Sequence, residues 1–377
     1  MLPAIPGTFG RLSDVFVSSL GAITGADNRL GFARAKRVVV VLVDGLGATN
    51  LKAAGGHAPF LQQALSRSKP IACGFPSTTA TSLSSFGTGV SAGQHGMVGY
   101  KVYDRTTRRA FNLLNGWDDQ IQSSDWQTMP TVSQRAIESG VASYFIGPKA
   151  YEGSDFTQAI MRDSTYRAGK SVADRFAIAA ELIGSGRPDS LTYLYVPELD
   201  QIAHAQGVAS DRWLIELEEL NSQVEQLVGQ LGKDDALLLT ADHGVLDIPT
   251  RNHVYLEELP VDWSLAVDVS GEPRVNFVYL QDGADDSAFA ASLQESLAGS
   301  GLALTRAMVL EAKLYGTTNP ETISRLPDVF VLATKNVAYY HRDYAPAASL
   351  NMIGQHGGLS NTELAIPLLG WGAFGAR

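Results

Sequence analysis

The stretch RVVVVLVDGLG, residues 37–47, decides the fold of this chain. Its apolar run, Val38–Val43, is unbroken and begins with four valines, which is typical of a strand covered on both faces in a parallel sheet. Asp44 follows directly, and Gly45 and Gly47 permit a sharp turn. Ligands of open α/β sheets bind beyond the carboxyl ends of the strands, so Asp44 is a candidate site residue. In isolation it could simply end a strand, but similar patterns recur along the chain.

Length and composition indicate a soluble globular protein with a sizeable core. The chain has 377 residues, of which 45% are hydrophobic and 18% charged, and its formal net charge is −10. This length predicts either one large α/β domain with an inserted lobe or two domains. The acidic balance argues against a nucleic-acid polymer bound through a broad basic patch. A small anionic substrate remains compatible, because bound metal ions can dominate the local field.

The chain shows no sign of secretion or membrane insertion. Its one cysteine, Cys73, cannot form an intramolecular disulfide. The first residues, 1–7, lack a cationic segment followed by a long apolar one, and no run of about 18 apolar residues occurs. We therefore expect a cytoplasmic protein with no signal peptide and no membrane segment.

Strands and helices alternate along most of the chain. The predicted strands are Val38–Val43, Ile71–Gly74, Ala142–Ile146, Leu191–Val196 and Ala236–Thr240. The predicted helices are Arg11–Leu20, Pro59–Ser66, Ala80–Phe86, Thr131–Ser139, Val172–Leu182 and Ala209–Leu231. This alternation predicts an α/β fold with a mostly parallel central sheet and helices on both faces.

The pattern changes between residues 251 and 345, which we interpret as a smaller inserted α+β lobe that covers the site. Its predicted elements are the strands Ser264–Val269, Arg274–Leu280 and Pro327–Ala333 and the helix Asp286–Leu297. Residues 1–250 and 346–377 then form the main domain, with a last strand near Leu364–Leu369. No pattern in the sequence indicates an oligomeric state.

A possible metal-binding pair follows the strand at Leu191–Val196. If the next turn is helical, Asp200 and His204 stand at positions i and i+4 and share one face. Two metal ligands on one helical turn need this spacing. The alternative is an ordinary surface Asp–His pair.

Two further groups carry histidine at probable strand ends or in glycine-rich turns. Asp242 and His243 directly follow the apolar strand Ala236–Thr240, so they repeat the arrangement at Asp44. His356 stands in the glycine-rich segment 354–358, where glycine permits close backbone approach. A turn with a capping aspartate, or a simple loop histidine, is the alternative for each.

Taken together, three carboxylates and three imidazoles suggest a metal centre. The set consists of Asp44, Asp200, His204, Asp242, His243 and His356. Carboxylate and imidazole donors suit Zn²⁺, with Mn²⁺ as the alternative. Six ligands are too many for one tetrahedral zinc, whereas two divalent ions about 4 Å apart would use all of them.

A hydroxyl nucleophile is available in residues 75–82, FPSTTATS. Several of these hydroxyls precede a helical run, so they would lie at the positive end of a helix, where backbone N–H groups also suit a phosphate oxygen. Metal coordination would lower the pKa of such a hydroxyl and make it an attacking group. The simpler alternative is a plain Ser/Thr helix cap.

At this point the chain resembles the alkaline phosphatase superfamily, and more narrowly its nucleotide pyrophosphatase/phosphodiesterase (type I phosphodiesterase) branch. The matching segments, in the order of the family, are Val43–Gly45, the threonine-rich segment leading to Gly87–Gly89 and His95–Gly96, Pro197–His204, Asp242–Gly244 and His356–Gly358. The resemblance implies an alkaline-phosphatase-like fold with a two-zinc site.

The resemblance also implies a role for each candidate. One ion would be held by Asp200, His204 and His356. The other would be held by Asp44, Asp242, His243 and the nucleophile. In that family the nucleophilic threonine stands nine residues before the threonine of a Thr-Gly pair. Here that pair begins at Thr88, and counting back nine gives Thr79, with Thr78 as the runner-up.

The chain departs from the family pattern at the expected phosphate contact. An asparagine is expected about 21 residues after the nucleophile, but Tyr100 stands there. We therefore take Tyr100 as a candidate substrate contact. No arginine stands beside the nucleophile to clamp a dianionic monoester in a bidentate manner, which favours diesters.

The sequence thus predicts a metal-dependent hydrolase of phosphodiester or pyrophosphate bonds, acting on small, nucleotide-like esters through a phosphoryl-threonine intermediate. A phosphomonoesterase, phosphonate hydrolase or Mn²⁺ phosphomutase of the same superfamily is the enzymatic alternative. An inactive protein that binds metal and nucleotide is the alternative from another class.

Overall fold

The structure is a computed structural model that describes residues 9–184 and 186–375. Its strands are β1 (Arg37–Val43), β2 (Ile71–Ala72), β3 (Lys101–Asp104), β4 (Arg109–Asn112), β5 (Ala142–Gly147), β6 (Thr165–Ala168), β7 (Ser190–Val196), β8 (Asp235–Ala241), β9 (Leu246–Asp247), β10 (His253–Tyr255), β11 (Ala266–Glu272), β12 (Val275–Leu280), β13 (Gly301–Thr305), β14 (Val329–Ala333), β15 (Ala338–Tyr340), β16 (Gly354–Gln355), β17 (Ala365–Ile366) and β18 (Leu368–Gly372).

The same residues form fifteen α-helices in the described part of the chain. They are α1 (Leu12–Thr24), α2 (Ala48–Ala53), α3 (Pro59–Leu65), α4 (Thr79–Thr88), α5 (Ala92–His95), α6 (Ser123–Trp126), α7 (Val132–Glu138), α8 (Asp155–Ile160), α9 (Val172–Leu182), α10 (Glu198–Gln206), α11 (Asp211–Val228), α12 (Asp286–Ser296), α13 (Arg306–Glu311), α14 (Pro320–Arg325) and α15 (Asn361–Leu364).

A six-stranded sheet with the order β18-β8-β1-β7-β5-β6 forms the centre of the molecule. All its neighbouring strands are parallel except the pair β18 and β8. Every residue of β1, β7 and β8 is buried, as expected for strands covered on both faces. The predicted mostly parallel α/β fold is therefore confirmed.

Helices cover the sheet in two groups. The first contains α1, α4 and α7, which pack on one another, with α1 against β1 and β7. The second contains α3, α9 and α11, with α9 against β5 and β7. Together they enclose one hydrophobic core that runs from α1 through the sheet to α11.

A separate four-stranded antiparallel sheet, ordered β11-β12-β14-β13, falls within residues 251–345. One face, including Phe277 and Phe330, belongs to the main core, while the other face packs with α12 in a second apolar cluster. The strands and the helix predicted for this region are present. Where the predicted lobe begins and ends as a domain stays a prediction.

The structure differs from the sequence-based expectation near the carboxyl terminus. The strand predicted at Leu364–Leu369 is divided at Pro367: β17 pairs with β2, and β18 pairs with β8. Proline has no backbone N–H for a sheet, so the chain changes partner there. The hairpin of β3 and β4 was not predicted, because its two short strands, KVYD and RAFN, carry no apolar run.

The other predicted elements are present with small shifts at their ends, the first helix extending to Thr24. The expected absence of a signal peptide concerns residues 1–7, which lie outside the described residues. None of the described helices has the length and apolarity that a membrane crossing requires.

The register of the sheet determines where the candidate residues meet. Val43 at the end of β1 is paired with Val196 of β7 and with Ala241 of β8. The three strands therefore end at the same level, and the residues that follow them emerge side by side at one edge of the sheet.

A buried ion pair joins β1 to β8 at the opposite edge of the central sheet. Arg37 at the start of β1 pairs with Asp235 at the start of β8, and both side chains are almost completely buried. Asp235 also accepts hydrogen bonds from the backbone of Gly184 (2.9 Å) and Gly232 (2.7 Å). Removing this carboxylate would leave a buried guanidinium without its partner.

We predict that Asp235→Ala lowers the free energy of unfolding by about 3–5 kcal/mol, because it leaves Arg37 buried and uncompensated. The matched control is Asp234→Ala, which removes a surface pair with Lys36 at 3.8 Å and should cost no more than about 1 kcal/mol. Urea denaturation of the two variants provides the comparison. Equal losses of unfolding free energy in the two variants would show that the buried pair contributes no more to stability than the surface pair.

Candidate metal centre

Four candidate side chains form a first group at the ends of β1 and β8 and at the start of α4. His243 Nε2 lies 3.4 Å from Asp44 Oδ1, 3.3 Å from Asp242 Oδ2 and 3.2 Å from the Thr79 hydroxyl. All four side chains are buried. Four potential metal-ligating atoms thus face one another around His243 Nε2.

Neighbouring groups orient the two carboxylates of this group. The Tyr195 phenol donates a hydrogen bond to Asp44 Oδ2, and the Gly45 backbone N–H donates to Asp242 Oδ1 at 3.1 Å. The remaining oxygens, Asp44 Oδ1 and Asp242 Oδ2, are buried and have no hydrogen-bond partner among the described residues. Each carboxylate therefore has one oxygen held by the protein and one free for a cation.

The turn after Asp44 depends on glycine. Gly45 has φ +71°, and a Cβ at this position would lie 2.9 Å from Asp200 Oδ1. A side chain here would be strained and would displace that carboxylate. The positive φ of Gly45 agrees with the sharp turn predicted for the glycines that follow Asp44.

The two candidate threonines have different surroundings. Thr78 is the N-cap of α4, and its hydroxyl accepts a hydrogen bond from the backbone of Thr81 (3.5 Å). Thr79 is the first residue of the helix, and its hydroxyl faces His243. The choice between them as nucleophile stays a prediction, but only Thr79 presents its hydroxyl to the clustered side chains.

A second group consists of Asp200, His204 and His356. Asp200 and His204 lie on α10, four residues apart, with His204 Nε2 at 3.1 Å from Asp200 Oδ2. His356 Nε2 lies 3.3 Å from His204 Nε2. The helical turn on which the Asp200–His204 pairing depended is therefore present.

Hydrogen bonds define the tautomers of this second group. His204 Nδ1 donates to the backbone carbonyl of Gly354 (2.8 Å), and His356 Nδ1 donates to that of Ser77 (2.9 Å). In neutral rings both Nε2 atoms are therefore unprotonated acceptors, and they face each other without a donor between them. A cation bound by both lone pairs resolves that conflict.

The charges of the whole cluster favour metal ions as well. Burial, followed by the charges of Asp242 and Asp200, raises the pKa of Asp44 well above its usual value. Burial together with Asp200 raises the pKa of Asp242 to about 7. Burial lowers the pKa of His243 to about 3, so its ring is neutral and does not offset the carboxylates.

Two sets of residues could each hold a metal ion, with ligand atoms within 4.8 Å of one another. One is Asp200, His204 and His356; the other is Asp44, Asp200 and His243. Asp200 occurs in both, so it lies between them. The carboxylate oxygens without hydrogen-bond partners and the imidazole nitrogens that face each other are donors of the kind that divalent cations bind.

Several residues that support the site had no signal in the sequence. Tyr195 lies within the predicted strand Leu191–Val196, and no element was predicted for Asn50, which lies on α2. Asn50 bonds both the N–H and the C=O of Val245, which fixes the loop after His243. Only the sheet register, which sets Tyr195 beside Asp44, could have indicated the first; nothing local indicated the second.

Tyr100 is 38% exposed, and its phenol bonds to Asn112 on β4. No hydrogen bond joins it to the seven clustered side chains, all of which lie in the described part of the chain. Its role as a substrate contact stays a prediction. His95, which we did not select, is buried and bonds to Ser85 at 2.9 Å.

Comparison with known proteins identifies the family of this chain. A sequence model of type I phosphodiesterase/nucleotide pyrophosphatase matches residues 38–359, which include all seven clustered side chains. A search of curated proteins found no significant match.

Solved structures share the fold. Murine ectonucleotide pyrophosphatase/phosphodiesterase 5, as an inactive variant in complex with AMP, matches with a TM-score of 0.68 and 17% identity over 89% of this chain and 88% of that one. The human protein of the same name matches with a TM-score of 0.65 and 17% identity over 90% of each chain. The family match covers most of the sequence, and we conclude that this chain belongs to the type I phosphodiesterase/nucleotide pyrophosphatase family.

Proposed function

We propose that this chain is a two-metal hydrolase that cleaves phosphodiester or pyrophosphate bonds of small, nucleotide-like esters, with Thr79 as its nucleophile. Membership of the family supports the reaction class. The observation that carries the proposal is the convergence of Asp44, Asp242 and the Thr79 hydroxyl on His243 Nε2, beside a second set of metal-ligating side chains.

The proposed metal sites follow from the two groups. Asp200, His204 and His356 would hold one ion. Asp44, Asp242, His243 and Thr79 would hold the other. Three carboxylates and three imidazoles suit Zn²⁺ best, with Mn²⁺ as the alternative. Two such ions, when bound, neutralise charge on the substrate and lower the pKa of a coordinated hydroxyl or water.

The residues of the chain would have the following roles in the reaction. The Thr79 oxygen forms a bond to phosphorus while the bond to the leaving oxygen breaks, giving a phosphoryl-threonine that water then hydrolyses. Thr79 begins a ten-residue helix, so the first-turn N–H groups and the helix dipole favour the nonbridging phosphate oxygens. Tyr195 and Gly45 keep the two carboxylates in place during the reaction.

One observation supports diesters over monoesters, and a second supports a nucleotide-like substrate. Among the described residues, the ion-pair partners of the three clustered aspartates are all histidines, so no arginine or lysine pairs with these carboxylates as a clamp on a dianionic ester would. The inactive murine relative binds AMP, which supports a nucleotide-like substrate for this chain too.

We predict that the zinc-loaded protein prefers an aryl phosphodiester to the matching aryl phosphomonoester by about 100-fold in kcat/KM, or about 2.7 kcal/mol. The reason is that only histidines pair with the three clustered aspartates among the described residues, so no arginine or lysine joined to the cluster offsets the second negative charge of the monoester. Initial rates on both substrates at one pH measure the ratio. A preference for the monoester would favour the phosphomonoesterase alternative, and no turnover of either ester would favour the inactive binding protein.

We predict that Thr79→Ala lowers kcat for the diester by at least about 10³-fold, because it removes the attacking oxygen. Most of the bound metal should remain, because six other side chains hold it. Rates and metal content of the same preparation are compared.

The control is Thr78→Ala, which removes the helix cap. It should cost about 1 kcal/mol of stability and leave most of the activity. If Thr78→Ala were inactive and Thr79→Ala active, the nucleophile would be Thr78.

A further inference from the structure

The hairpin that joins β11 to β12 reaches from the antiparallel sheet to the metal centre. Glu272 is paired with Val275, so only Pro273 and Arg274 form the turn. Gly271 has φ +86°, and a Cβ there would lie 2.3 Å from the Val275 carbonyl oxygen. The turn therefore has a defined shape that depends on this glycine.

Arg274 fastens the turn to the loop that carries His356. Its guanidinium forms a bidentate pair with Glu363, with both N–O distances at 3.1 Å, and both side chains are buried. Glu363 in turn accepts a hydrogen bond at 2.8 Å from the backbone of Gly358, two residues beyond His356. A bidentate pair of this kind fixes direction as well as distance.

Glu272 lies directly behind the imidazole of His356. Its Oε2 is 3.3 Å from His356 Nδ1, the nitrogen that also faces the Ser77 carbonyl oxygen at 2.9 Å. The side chain is buried. A carboxyl group in such a place is costly to bury unless it has a partner.

We propose that Glu272 is a positioning residue for His356: its Oε2 lies beside the Nδ1–H that the Ser77 carbonyl accepts, and the two oxygens together hold the hydrogen on Nδ1 and direct Nε2 towards Asp200 and His204. The inference rests on the proposed function, since it assumes that His356 holds a metal ion. Carboxylates placed behind metal-ligating histidines orient the ring and strengthen it as a ligand. The antiparallel sheet is then part of the metal centre rather than only a cover over it.

A purely structural role would have a different signature. If Glu272 only filled space in the hairpin, its removal would lower the stability of the whole protein and would weaken both metal sites equally. If it positions His356, its removal weakens the ion held with Asp200 and His204 and leaves the other ion as it was. Zinc affinity separates these cases without any measurement of turnover.

The test compares three variants of the full chain. Glu272→Ala removes the acceptor, Glu272→Gln keeps an acceptor oxygen without the charge, and Asp268→Ala removes another buried carboxylate of the same strand, which bonds to Ser270. Stepwise zinc affinities are measured by competition with a chromophoric chelator. Melting temperatures of the metal-free proteins report on the fold.

We expect Glu272→Ala to weaken one of the two zinc ions by about 10–100-fold and to leave the other unchanged. Glu272→Gln should recover most of that loss, and Asp268→Ala should bind both ions as the unaltered protein does. Unchanged affinities in Glu272→Ala would overturn the proposal. So would equal weakening of both ions, equal weakening in Asp268→Ala, or no recovery in Glu272→Gln.

This outcome is independent of the test of the proposed activity. A protein that binds two zinc ions but hydrolyses no ester would contradict the proposed reaction, and the role of Glu272 towards His356 would still be decided by the affinities.

Discussion

Mutual repulsion between buried carboxylates is the constraint on which this structure depends. Asp44, Asp200 and Asp242 are almost completely buried, and oxygens of Asp44 and Asp200 lie within 4.8 Å of a common histidine nitrogen and of each other. At that separation two full charges repel by about 3–4 kcal/mol even at an effective dielectric constant of about 20. Burial lowers the pKa of His243 and of His356, so both rings are neutral. Within the chain only His204, whose pKa is raised beside Asp200, compensates a carboxylate, so the rest of the compensation must come from outside the chain. Divalent cations meet that need with the donors present.

The fold holds these groups together because rigid elements carry them. Asp44 and Asp242 extend from neighbouring parallel strands whose ends are level, and Asp200 and His204 stand on one helical turn. His356 follows only the two-residue strand β16, and its loop is held by Ser77, Glu363 and the hairpin at Glu272. Ligands on strands and helices need little further support, whereas a ligand on a loop needs several contacts from distant parts of the chain.

Much of this arrangement could be predicted from the sequence. An unbroken apolar run followed by Asp-Gly identified the end of β1, and the similar ends at Asp200 and Asp242 implied one edge of a parallel sheet. The six chosen carboxylates and imidazoles do lie in one cluster, although their roles as ligands stay predictions. Tyr195 and Glu272 could not be found, because their contacts depend on sheet register and on a hairpin about 80 residues before His356 in sequence. Pro367 explains the misplaced last strand, since it moves the chain from one sheet to another.

Titration of the metal-free protein with Zn²⁺, followed by calorimetry and by the melting temperature, tests the central claim most directly. The account predicts two ions per chain and a marked rise in melting temperature, because each ion relieves repulsion that the folded chain alone must bear. Binding of only one ion, or of none, without such a rise would mean that the buried carboxylates are neutralised by protons and that the cluster is not a two-metal site.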